Sequence, residues 1–179
     1  MSLLILTLFL TSCSEESLNP LASPKEGWVD RRLIGSWQRD DSHFTIAVAS
    51  PHSMTMSFPD SDTKNKQHST ICFSTIIGKE TFLNYLDITT DKHGKPVKRW
   101  EIFRYSISNG RTLTLWDIDL PKSAVENGQI KTEKDPIDPS RVILSDTTPN
   151  LVRFIRNSDI EKLFPGEGGT YSRVERYVR

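Results

Sequence analysis

A period of two dominates the first two thirds of this chain. Phe44, Ile46 and Val48 alternate with Thr45, Ala47 and Ala49, and Met54, Met56 and Phe58 alternate again with small polar residues. Successive side chains of a strand point to opposite faces, so such runs specify half-buried β-strands. Further strands are expected over 35–39, 70–77, 81–89, 97–108, 112–120, 141–145 and 171–178, where β-branched and aromatic residues concentrate. The breaks between most of them are short. Pro51-His52, Gly78-Lys79 and residues 91–96 are turns, and Asn109-Gly110 is the strongest hairpin signal a sequence offers. Residues 59–69 carry no apolar residue after Pro59 and read as a loop. About nine strands joined in order by tight turns make an antiparallel meander. A meander of that length avoids open edges by closing into a barrel.

The pattern changes after Leu120. Pro121 suits the start of a short helix over 122–128. Residues 130–140 contain Asp135-Pro136 and Asp138-Pro139 and read as loop. Leu151, Phe154, Ile155, Ile160, Leu163 and Phe164 suit one or two short helices over 150–164, which Pro165 and the following glycines break. The fold class expected is therefore mostly β, a barrel with short helices near the C-terminus. A single domain fits the 179 residues. Lys plus Arg and Asp plus Glu both number 23, so there is no net positive charge of the kind that nucleic-acid binding needs.

The N-terminus carries a separate message. Residues 3–10 are an apolar run of signal-peptide length, too short to span a bilayer, and it ends in Leu10-Thr11-Ser12-Cys13. This resembles the lipobox of bacterial lipoproteins, although Met1-Ser2 supplies no Lys or Arg before the apolar run. The resemblance implies that residues 1–12 are a signal peptide and that Cys13 receives a diacylglycerol, with palmitate-type acylation of the new amine. The chain would then sit in the cell envelope, anchored to a membrane. By the same resemblance Ser14, rather than Asp, favours the periplasmic side of the outer membrane over the inner membrane. Residues 14–26 include two prolines and no periodicity, so residues 13–26 read as a lipidated flexible tether reaching about 40 Å if extended.

Leu33-Ile34-Gly35-Ser36-Trp37 resembles the Gly-x-Trp that opens lipocalin-like domains. With the meander, the late helical segment and the final strand, the resemblance covers residues 27–179 as a lipocalin-like β-barrel. It implies that Gly35 and Trp37 close one barrel end, with Arg173 or Arg176 packed on the tryptophan. It implies binding of an apolar or amphipathic small molecule.

Candidate chemistry is sparse. His43, His52, His68 and His93 show no metal-ligand spacing, and no nucleotide, phosphate or nucleophile motif is present, so neither metal nor cofactor is expected. Asp117 and Asp119 share one strand face and could do acid–base work. The apolar Trp116, Ile118 and Leu120 on the other face argue instead that the aspartates point to solvent. Asp117, Asp119 and His43 are the best residues for an enzyme, which is not the expectation. Cys72, in Ile71-Cys72-Phe73, reads as a buried apolar thiol. The aromatic residues Phe73, Phe82, Tyr85, Trp100, Phe103, Tyr105 and Trp116 would either fill the barrel or line a cavity. A cavity means a non-catalytic, membrane-anchored binding protein. A filled barrel means an accessory protein acting through its surface, with residues 150–164 as the contact face.

Overall fold

The computed structural model describes residues 15–59, 67–91, 93–135, 137–138 and 141–174. The leader 1–12, Cys13 and Arg176 lie outside the described residues. Strands β2 (Gly35–Arg39), β3 (Ser42–Ser50), β4 (Ser53–Pro59), β5 (Gln67–Ile77), β6 (Glu80–Thr90), β7 (Pro96–Ser108) and β8 (Thr112–Asp117) each pair antiparallel with the next. The last, β11 (Gly169–Val174), lies between β8 and β2. The sheet thereby closes into the expected antiparallel barrel, with eight strands in its wall rather than about nine. The β7–β8 turn has Asn109 and Gly110 both at positive φ (51° and 62°), the conformation that Asn-Gly accepts most readily.

Two cores share the barrel wall. Inside the barrel, Leu33, Trp37, Ile46, Met54, Cys72, Leu83, Tyr105 and Leu113 fill one half. On the outer face, Ile77, Phe82 and Ile102 meet Leu120, Ala124, Ile130, Leu144, Leu151, Ile155, Leu163 and Phe164. These come largely from a layer made of α1 (Lys122–Glu126), β9 (Thr132–Lys134), β10 (Val142–Leu144), α2 (Thr148–Asn157) and α3 (Ile160–Leu163). α2 buries Leu151 and Ile155, four apart on one face, against the barrel. Part of the barrel wall is therefore apolar on both sides.

Three local expectations change. The stretch read as a free tether is folded from Glu15 onward. Residues Glu16–Ser17 form β1, antiparallel to β7 at Glu101 and Trp100 and parallel to β10. Leu21 is buried in the outer core, and its backbone N–H donates to Asn84 Oδ1 at 2.7 Å. The reason is a buried ion cluster. Arg99 Nη1 donates to Glu16 Oε2 at 2.6 Å and Arg99 Nη2 to Asp135 Oδ1 at 2.5 Å, with Arg141 beside Glu16 at 3.4 Å. The stretch 59–69, read as a loop, is strand at both ends, because β4 includes Pro59 and β5 begins at Gln67; residues 60–66 lie outside the described residues. Residues 132–134, read as loop, pair with β10.

Candidate functional site

One barrel end is shut by the Gly-x-Trp segment. Trp37 is wholly buried and its Nε1–H donates to the Leu33 carbonyl at 2.8 Å. The Arg173 guanidinium lies 4.6 Å from the Trp37 ring centroid, within cation–π range. It also donates to the Ile34 carbonyl at 2.8 Å and to the Arg32 carbonyl. Of the two arginines considered for this role, Arg173 fills it. Gly35 has φ 139°, and a Cβ there would stand 2.9 Å from Arg173 Nη1, so glycine is needed twice over. Just inside, the Tyr105 hydroxyl donates to Asp30 at 2.8 Å and bonds to Ser74 at 3.0 Å.

The other end is open. A cavity of about 730 Å³ enters the barrel between the ends of β2, β7, β8 and β11, a volume within the usual range for small-molecule sites. Phe44, Met56, Phe58, Tyr85, Phe103, Leu115 and Tyr171 form its apolar wall. Glu101, Asp117 and Asp119 line one side, and Arg39 lies at the rim over the Tyr171 ring at 5.2 Å. The barrel thus combines the two expected interiors: solid at the Trp37 end, hollow at the mouth.

The aromatic set divides accordingly. Tyr85 and Phe103 line the cavity as expected. Tyr105 faces inward but belongs to the packed half. Phe73, Phe82, Trp100 and Trp116 do not line it, which corrects the expectation for those four. They alternate with inward Cys72, Ser74, Leu83, Phe103 and Leu115, so they stand on the outer face. There Phe82 packs on Phe164 at 5.5 Å, Phe73 on Trp100 at 5.5 Å, and the Trp116 indole donates to the Gly166 carbonyl at 3.2 Å. One of the aspartates is reversed too. Asp117 is half-buried in the cavity wall, because the apolar Trp116 beside it is taken up by the outer core, whereas Asp119, past the end of β8, is exposed as expected and stands at the rim. His43 is exposed on β3, whose neighbouring Phe44 faces inward, so it lies away from that site.

Glu101 was not singled out in the sequence. The signal was a carboxylate in phase with Phe103 and Tyr105 on β7, hence on their face. Burial, then the charges of Asp87, Glu16 and Asp117, push its pKa up to about 7. Because the folded-state value lies above the ordinary 4.5, the native state holds a proton that the unfolded chain has released. Folding stability from this group is full below pH 4.5 and is lost as pH rises toward 7, by roughly 3 kcal/mol over that window. Glu101→Gln is therefore expected to gain stability over the parent at pH 8 and to match it near pH 4, read as urea midpoints at both pH values.

The remaining candidates are structural. Cys72 is fully buried and burial pushes its thiol up to about 12, so it is an inert apolar residue. Among the described residues no group of three or more His, Cys, Asp or Glu could hold a metal ion, and no helix is long and apolar enough to cross a membrane. A smaller hollow of about 320 Å³ lies on the outer layer beside Asn150, Phe154 and Ser158. No protein-family model, curated protein or solved structure matches this chain.

Proposed function

We propose that this protein is a lipid-anchored, non-catalytic envelope protein whose barrel binds an amphipathic small molecule in the open half. The observation that carries the reading is the cavity itself, with its aromatic and aliphatic wall on one side and three carboxylates on the other. An apolar tail would bury against Phe44, Phe58 and Phe103, where each methylene removed from water contributes about 0.8 kcal/mol. A cationic or hydrogen-bond-donating head would face Glu101, Asp117 and Asp119. Among the described residues none that lines the cavity is a Ser, Cys, His or Lys, which favours binding over nucleophilic chemistry. The lipobox at Cys13 supports the anchor, and the lipocalin-like resemblance of the Gly35–Trp37 motif supports a ligand-carrying barrel.

The test is competition for a neutral apolar dye, Nile red, with dodecylamine and dodecanoate. Dodecylamine should displace the dye at lower concentration than dodecanoate. Its affinity should rise between pH 6 and pH 8 as Glu101 ionises, and Glu101→Gln should weaken it by roughly tenfold. Absence of dye uptake would overturn the binding reading. The anchor is tested separately by Cys13→Ala, which should move the protein from the membrane to the soluble fraction of envelopes.

A further inference from the structure

The N-terminal strand enters the fold at the cavity's mouth. β7 runs past the end of β8: Asp117, the last residue of β8, pairs with Phe103, and β1 takes the same edge of β7 at Glu101 and Trp100. Glu101 lines the cavity, and Glu15 feels the charges of Asp119 and Arg141 beside it. Cys13 is two residues before Glu15, so the chain lets its Cα stand no more than about 7 Å from that of Glu15. An anchor there cannot hold the domain at a distance. The buried Arg99 contacts with Glu16 and Asp135 fix β1 to the barrel, so the entry point does not swing.

A second feature lies at the same end. Beyond Leu86 and Trp100, among the described residues, the strands β6 and β7 pair only with each other as a two-stranded ribbon, residues 87–90 against 96–99. Among the described residues its tip carries Lys95 and Lys98 against one acid, Asp91. Asp91 is occupied in the turn, accepting the His93 and Lys95 backbone N–H groups at 2.8 and 2.9 Å. Lys95 and Lys98 are exposed, and Ile88, paired with Lys98, is 46% exposed. A basic tip with one outward apolar residue fits anionic headgroups, to which Lys side chains near a bilayer are attracted.

We infer that the barrel stands mouth-down on an anionic bilayer, with the β6–β7 tip in the headgroups, so that the cavity exchanges its ligand with the membrane. The inference rests on the anchor and cavity readings above. It makes the ligand a bilayer-resident amphiphile, delivered over a rim that the anchor holds at the lipid surface.

The test uses the full chain, expressed so that Cys13 is processed, in vesicles of phosphatidylcholine and phosphatidylglycerol that carry a nitroxide on the lipid headgroup. A bimane label is placed at Lys95→Cys, in the tip, or at Arg31→Cys, exposed at the closed end; buried Cys72 does not react. The label at 95 should be quenched several-fold more strongly than the label at 31. Equal quenching, or stronger quenching at 31, in protein that floats with the vesicles would overturn the orientation alone. Protein that fails to float would overturn the anchor reading and the orientation together. Nile red uptake by the same labelled proteins reports separately on the cavity.

Discussion

Arg99→Leu should lower folding stability by about 3–5 kcal/mol, the cost of stripping the partner from buried carboxylates. Arg99 is 3% exposed and holds Glu16 and Asp135 at 2.6 and 2.5 Å. Burial opposes its charge, but Glu16 and then Asp135 more than offset that, and its pKa is raised. Asp135 is the mirror case. Burial would raise its pKa, yet the backbone N–H groups of Ile137 and Asp138, and then Arg99, hold it below 3.8. A lowered carboxylate stabilises the fold above its unfolded value, and that contribution is lost as pH falls through the folded value. Removing Arg99 reverses the balance for Asp135, whose buried carboxylate then resists ionising, and it strips Glu16 of its nearest cation. The loss should therefore be largest at pH 7 and smaller near pH 4, measured by urea unfolding at both. Adding Glu16→Gln and Asp135→Asn to Arg99→Leu should restore much of the loss, because neutral groups leave no buried charge. If the single variant loses equally at both pH values, the cluster's role is packing rather than charge.

That cluster also shows where the sequence stops being legible. The barrel strands were readable because each carries its own period of two and its own turn, as at Phe44–Val48 and Asn109-Gly110. β1 was not, because nothing local makes Glu16–Ser17 a strand. Glu16 is held by Arg99, 83 residues along the chain, and Arg99 is held in turn by Asp135, 36 residues further on. The wrong assignment of faces has a different cause. Period two separates two faces but does not say which is inside, and here both are apolar: Phe82, Ile102 and Trp116 face the helical layer while Leu83, Phe103 and Leu115 face the barrel. Trp116 and Ile118 therefore looked like the inward set and Asp117 like the outward one. The hairpin held the answer. Counting back from Asn109-Gly110 pairs Leu113 with Ile107, Leu115 with Tyr105 and Asp117 with Phe103, which places the aspartate on the face of the inward aromatics. Glu101 follows two residues on. The site was thus recoverable from register, whereas the cavity's volume depends on how the rings of Phe44, Phe58 and Tyr171 pack at the mouth, which no pattern states.

Trp37→Ala should cost about 3–5 kcal/mol, and it should also change what the barrel holds. The side chain is fully buried, it donates to the Leu33 carbonyl, and its ring is the platform for Arg173. All three are lost together, so the drop should exceed that of a simple aliphatic truncation in the same core. For a chain of this size it corresponds to a fall in melting temperature of roughly 10 °C. Trp37 pairs across the sheet with Phe44, and Phe44 belongs to the cavity wall. The void left by the indole therefore lies next to the hollow half, lined by apolar residues such as Leu33 and Met54. An apolar void of this kind stays dry and accepts apolar guests. Displacement of Nile red by amines of increasing chain length should reach its optimum at a longer tail in Trp37→Ala than in the parent, while the pH dependence set by Glu101 stays the same. A chain-length optimum that does not move, alongside the expected loss of stability, would mean that the closed end collapses onto the gap, and that the packed half sets the depth of the cavity whatever residue stands at 37.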